Sequence, residues 1–303
     1  MHHLSSADAK AGLGQKIASQ LRKIRASHQI SSQIQELKAR VVEESERQKR
    51  YMFHDFTSGS SVAVKVDPRL SALYVEEDRL VGIDGPKDEI IKRLMDRRVP
   101  EHAMTVSIVG CGGSGKTTLA NQIYCKIRGE FQRAAFVSVF QNPNIRKVLM
   151  NIISQVGADS CALDDQRQII NNLREYLSDK RYIVLVDDLW DAETWKIIRY
   201  ALVNNRCGSR IMTTTRIYDV AKLCCSSLGD HVYEMRPLSV IDSERLFVRR
   251  IFYPEDRCPP HLKEASDEIL KKCGGLPLAI ISMSSLLASK PKSRDQWNKV
   301  QFP

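Results

Sequence analysis

The sequence predicts an α/β fold: a parallel sheet covered on both faces by helices, with a long helix before it and a small all-helical region after it. Three observations lead there. Apolar strand-like runs at 105–109, 135–140, 182–186, 210–214 and 232–235 alternate with helix-like runs at 116–127, 145–156, 166–178, 194–202 and 217–224. Alternation of that kind argues for parallel strands joined by right-handed crossovers. Strand signals stop after Pro237, whereas the stretch between Gly14 and Tyr51 has no Pro or Gly and is rich in Lys, Arg, Glu and Gln, as a long helix would be.

Along the first helix, Ile17, Leu21 and Ile24 are spaced by four and three, and Ile30, Ile34, Leu37 and Val41 resume that spacing after a phase shift. The seam is narrow and suits packing on another helix. That partner is either the chain's own globular domain or a coiled-coil or helical-bundle module. A linker of low apolar content follows from Thr57-Ser58-Gly59-Ser60-Ser61 through Asp67-Pro68 to about Asp78. The expected divisions are therefore 1–56, a linker at 57–79, the α/β domain at 80–236 and the helical region at 237–303.

The first strand runs into Gly110-Cys111-Gly112-Gly113-Ser114-Gly115-Lys116-Thr117, and a helix follows from Thr118. Strand, GxxxxGK[ST] loop and helix form the context that a phosphate-binding P-loop requires. Gly112, Gly113 and Gly115 let the backbone curl so that successive N–H groups, including those flanking Ser114, point at phosphate oxygens. The following helix adds the positive end of its dipole. Lys116 is placed to reach the β- and γ-phosphates, and the Thr117 hydroxyl to hold Mg²⁺. The expected architecture is thus a P-loop NTPase sheet, and a nucleotide is the expected ligand.

Ile183-Val184-Leu185-Val186-Asp187-Asp188 is a buried-type strand that ends in acid. In open α/β sheets, ligands bind beyond the carboxyl ends of the strands. Asp187 could hold Mg²⁺ there, and Asp188 could orient or deprotonate a water. An isolated Asp-Asp pair would read as helix capping; the complete loop upstream favours the metal reading. Thr213-Thr214-Thr215-Arg216 ends the next strand at the same edge, where an arginine can sense a γ-phosphate. Farther on, Ser239-Val240-Ile241-Asp242 offers a helix cap. Lys271-Lys272-Cys273-Gly274-Gly275 closes a helix with basic residues and a glycine, and Pro277 pre-sets the next one.

Composition narrows the function classes. The chain has 303 residues, 43% hydrophobic and 27% charged, with a formal net charge of +10. Basic residues alternate with acidic ones, and no helix-turn-helix, zinc-finger or RNA-recognition signature is present, so no nucleic-acid partner is expected. Eight cysteines at scattered spacings give neither a disulfide framework nor a zinc site. The N-terminus lacks a signal-peptide apolar core, and the longest apolar stretch, Leu276 to Leu287, is too short to span a bilayer. A cytoplasmic protein is expected, with nucleus and membrane periphery left open.

Together these residues resemble the NB-ARC module of coiled-coil, nucleotide-binding, leucine-rich-repeat immune receptors of plants. The resemblance covers roughly residues 80–303. It rests on Val81-Gly82-Ile83-Asp84-Gly85, the loop from Gly110 to Thr118, Phe136-Val137-Ser138-Val139 and Leu185-Val186-Asp187-Asp188-Leu189-Trp190. Gly208-Ser209-Arg210-Ile211 with Thr213 to Arg216, and Gly274 to Ala279, complete it. It implies a STAND-type P-loop domain followed by a first helical ARC subdomain, with the segment before Phe56 the end of a coiled-coil domain.

By that resemblance Lys116, Thr117 and Thr118 carry phosphate and metal, Asp187 the metal, Asp188 the water, and Arg216 is the sensor arginine. Pro277 lies against sugar and base, and the Val81 backbone near adenine. The implied cofactors are ADP or ATP with Mg²⁺. The family's winged-helix subdomain with its Met-His-Asp motif, its leucine-rich repeats and its early coiled-coil helices have no counterpart here, so a truncated receptor is expected.

The function expected is an ADP/ATP switch of plant defence with slow or negligible hydrolysis, rather than an enzyme. Two other classes stand beside it. One is a P-loop ATPase or kinase with true turnover; the other is an interaction partner that self-associates or pairs with full-length receptors through its N-terminal helix.

Overall fold

The apolar runs form five strands, all parallel, in the order β2-β3-β4-β1-β5: β1 (Met104–Val109), β2 (Arg133–Ser138), β3 (Tyr182–Leu189), β4 (Arg210–Thr215) and β5 (His231–Glu234). The computed structural model describes residues 80–96, 102–159, 165–252, 257–294 and 297, within one unit that runs from Val66 to Val300. The helix expected before Tyr51 and the linker at 57–79 lie outside the described residues.

Burial follows position in the sheet. Every residue of β1, β3 and β4 is buried, because helices cover both faces of these inner strands, whereas the edge strands β2 and β5 are only partly covered. Alternation along β3 sends Tyr182, Val184 and Val186 to one core and Ile183 and Leu185 to the other. The first core receives Leu149, Ile152 and Ile153 of α3 (Ile145–Val156), Ile169 and Leu173 of α4 (Gln166–Leu177), and Trp195 and Ile198 of α5 (Ala192–Ala201). The second receives Ile90 and Leu94 of α1 (Asp84–Leu94) and Leu119, Ile123 and Ile127 of α2 (Lys116–Ile127).

Three elements differ from the sequence expectation. Helix α1 is additional. Its signal is present in hindsight: Asp84 in the first turn, Ile90 and Leu94 four apart, and Lys92-Arg93 at the basic end. Strand β2 lies two residues earlier than 135–140, since beyond Val139, whose N–H still reaches the Asp187 carbonyl at 2.8 Å, Phe140 is exposed. Strand β3 does not end at Val186 but continues through the two aspartates to Leu189.

Beyond β5 the elements among the described residues are helices, as expected. After α6 (Tyr218–Cys224) and β5, Ser239 caps α7 (Val240–Phe252): its hydroxyl accepts from the Asp242 N–H at 3.0 Å and donates to the Asp242 carboxylate at 2.7 Å. Helix α8 (Lys263–Cys273) stops at Gly274, whose φ of 58° is left-handed, and Pro277 opens α9 (Pro277–Ala288). Trp297, almost fully buried, stands 6.0 Å from the ring centroids of both Phe247 and Phe252. All seven cysteines among the described residues are free thiols. Burial pushes Cys224 and Cys225 up to about 12, which marks them as packing residues and not nucleophiles.

Candidate nucleotide-binding site

Because the strands are parallel, all five carboxyl ends lie on one edge, and the chemistry-bearing motifs meet there. The loop Gly110–Gly115 leaves β1 and enters α2 at Lys116; β3 delivers Asp187 and Asp188; β4 delivers Thr215 and then Arg216. From β5, Met235 closes the same edge, its N–H bonded to the Val109 carbonyl at 2.8 Å.

The loop is shaped by its glycines. At Gly113 φ is +77°, and a Cβ built there would lie 2.7 Å from the Leu278 Cβ, so no side chain fits. Its carbonyl accepts the Leu278 N–H at 3.2 Å, which ties the loop to the first turn of α9, where Pro277 also stands. Lys116 is buried, and its ammonium donates to the Gly110 and Cys111 carbonyls, both at 2.8 Å. Burial, and then the nearby Arg216 guanidinium, hold that ammonium below the ordinary lysine range, against the opposing pull of Asp188. The Ser114 hydroxyl is buried and has no hydrogen-bond partner among the described residues. An unsatisfied hydroxyl beside a cationic, glycine-lined loop fits an anion of the phosphate class.

The aspartate pair sits on an irregularity of the sheet. Val186 pairs with Thr213 and Leu189 with Thr215, so Asp187 and Asp188 together face Thr214. Asp188 has φ 57°, the one described non-glycine residue with positive φ, a conformation that costs on the order of 1–3 kcal/mol and concentrates at functional sites. Thr214 fixes both acids. Its hydroxyl accepts the Asp188 N–H at 2.8 Å and donates to Asp187 Oδ1 at 2.6 Å. The Thr117 hydroxyl reaches the same Oδ1 at 2.9 Å. Thr117 and Asp187, seventy residues apart, are thus adjacent oxygens of the kind a hard divalent cation takes. Arg216 Nε lies 3.6 Å from Asp188 Oδ1, and its guanidinium stacks 5.0 Å from the Trp190 ring.

Of the residues expected from sequence, Gly110, Gly112, Gly113, Ser114, Gly115, Lys116, Thr117, Asp187, Asp188 and Arg216 gather at this edge, and Pro277 is brought beside them through Leu278. Thr118 follows in the first turn of α2. Val81 is linked less directly: its neighbour Gly82 packs against Leu238 and Asp242 at the start of α7. Thr214, Leu278, Met235 and Trp190 were not expected as site residues. Thr214, Trp190 and Leu278 fall inside motifs quoted above for the resemblance, but nothing in those stretches assigned them a role of their own, and Met235 lay only at the end of a strand-like run.

Comparison with known proteins identifies the family. The NB-ARC domain profile matches residues 83–255. The chain is 40% identical over 276 residues to "Disease resistance protein RGA5" of Oryza sativa subsp. japonica, an alignment covering 89% of this chain and 25% of that protein. It is 35% identical over 243 residues to "Disease resistance protein RPM1" of Arabidopsis thaliana, covering 76% and 26%. Among solved structures, a chain of "Structure of Drosophila ORC bound to DNA" superposes with a TM-score of 0.50 at 12% identity over 80% of this chain and 68% of that one, a likeness of fold alone. The chain spans about a quarter of the length of these two disease resistance proteins. With the profile covering more than half of its residues, the chain belongs to the NB-ARC family, and its relatives are plant disease resistance proteins.

Proposed function

We propose that the chain is an adenine-nucleotide switch of plant defence, with ADP holding a closed form and ATP exchange favouring an open, oligomerising one. The observation that supports it best is the bond from Leu278 N–H to the Gly113 carbonyl, with Leu278 packed on the loop. A loop that cradles phosphate and also touches α9 couples nucleotide state to the helical region, which is what a two-state switch requires.

In this reading the Lys116 ammonium and the loop N–H groups bind the β- and γ-phosphates. Thr117 and Asp187 hold Mg²⁺, Asp188 orients a water, and Arg216 reads the terminal phosphate. The Val81 backbone faces adenine, and Pro277 faces sugar and base. Mg²⁺, when bound, neutralises adjacent phosphate oxygens. Among the described residues no group of three His, Cys, Asp or Glu side chains could cage a metal, so that ion would draw its other ligands from phosphate and water.

The test is to denature the purified protein and chromatograph what it releases. Adenine nucleotide from the unmodified chain, and none from Lys116→Arg, is expected; no nucleotide from either overturns the reading. Sustained hydrolysis of about one per second or faster would instead favour a P-loop ATPase or kinase.

Self-association, or pairing with other receptors, is assigned to the apolar seam Ile30–Val41; co-purification that survives deletion of residues 1–56 would count against it. No described helix is long and apolar enough to cross a membrane. The working location proposed is the cytoplasm, which fractionation with a tagged chain would check.

A further inference from the structure

In the reading above Arg216 senses the triphosphate, yet little would hold it in place by ordinary means. Its side chain is 48% exposed, and its approach to Asp188 at 3.6 Å is longer than a hydrogen bond. An exposed pair of that length is weak, and a free arginine side chain samples many rotamers.

What confines the guanidinium is a flat wall. Trp190, the residue that follows β3, offers its indole face 5.0 Å from the guanidinium carbon. The backbone of the P-loop is close as well: a Cβ added to Gly112 would lie 3.3 Å from Arg216 Nη1 and 3.6 Å from Cζ. The group therefore has three neighbours, the Trp190 ring, the loop at Gly112 and the Asp188 carboxylate. Tryptophan is the strongest aromatic partner for a cation, and a guanidinium over its ring is held by the ring's negative face.

We propose that Trp190 is the positioning residue that presents Arg216 to the terminal phosphate, and so sets the discrimination between nucleoside triphosphate and diphosphate. The proposal rests on the nucleotide-site reading above. Trp190 touches no phosphate itself. It lowers the cost of ordering the arginine that does, so its influence reaches only ligands long enough to meet that arginine.

The test compares affinities of the full chain, with Mg²⁺, for ADP and for a slowly hydrolysed ATP analogue. Trp190→Leu is expected to weaken the ATP analogue by about three- to tenfold while ADP stays within about twofold. Trp190→Phe, which restores a ring, should recover most of the loss. In an Arg216→Ala background, Trp190→Leu should cost nothing further. Equal loss of both ligands, an unchanged ratio, or a loss that persists without Arg216 overturns the proposal and leaves the nucleotide site standing. Binding of neither ligand by the unmodified chain overturns the site reading itself. Should Trp190→Leu not fold, indole fluorescence decides. The unmodified chain should change emission with the ATP analogue and not with ADP, and Trp190→Phe should lose that difference; an identical response to both ligands overturns the proposal.

Discussion

Thr214 shows how much one ordinary side chain carries at this edge. Almost fully buried, it accepts the Asp188 N–H and donates to Asp187, so one hydroxyl touches both acids of the bulge. Thr214→Val keeps the shape and removes the hydroxyl. It leaves a buried N–H without its acceptor and should cost about 1–3 kcal/mol in denaturant unfolding, together with a weaker dependence of nucleotide binding on Mg²⁺. Lys116 makes a second prediction. Phosphate oxygens favour the charged ammonium, so binding raises a value that burial and Arg216 hold low in the free protein. Affinity should be full below the free lysine's lowered value and should fall as pH rises through it, with a proton taken up on binding in that alkaline window. Calorimetric titration in buffers of different ionisation enthalpy measures that uptake. For folding the sign is reversed: the unfolded lysine holds its proton more tightly, so the burial penalty is present at neutral pH and is relieved as pH rises through the folded value.

Among elements, the loop between β1 and α2 and the first turn of α9 act as one piece. Gly113→Ala would force a left-handed residue to carry a Cβ into Leu278. It should cost at least about 1–2 kcal/mol and weaken both nucleotides together, read by thermal unfolding and by binding. Gly129→Ala, at a glycine with open space around it, should stay within about 0.5 kcal/mol and serves as the control. The elements themselves were largely legible in the sequence. Inner strands are rich in apolar residues because both faces are covered, and Ser239, Gly274 and Pro277 mark helix ends by chemistry local to each residue. Misplaced boundaries have a tertiary cause. Strand β3 runs past Val186 because Thr214 and Thr117 satisfy its acidic residues, which a reading of the strand alone takes as its end.

On the scale of the whole molecule, the helical region is tied to the loop at one point and closed on itself at another. Leu278 meets the P-loop, and Trp297 fills the space between Phe247 and Phe252. Trp297→Ala should cost about 3–5 kcal/mol. Far-UV dichroism and the emission of Trp190 and Trp195 together should still report one coincident transition, because the loop and α9 share backbone bonding. By itself the sequence determined the alternating α/β plan, the phosphate chemistry of Gly110–Thr117 and the identity of the acids and arginine at the strand ends. Each of these is written in a short contiguous stretch, where spacing and residue type set the backbone. Only the tertiary structure decided that Thr214 aims the acids, that Leu278 rests on the loop and that Trp190 backs Arg216. These are common residues in common elements, and their roles come from neighbours that the parallel crossovers bring together from distant parts of the chain.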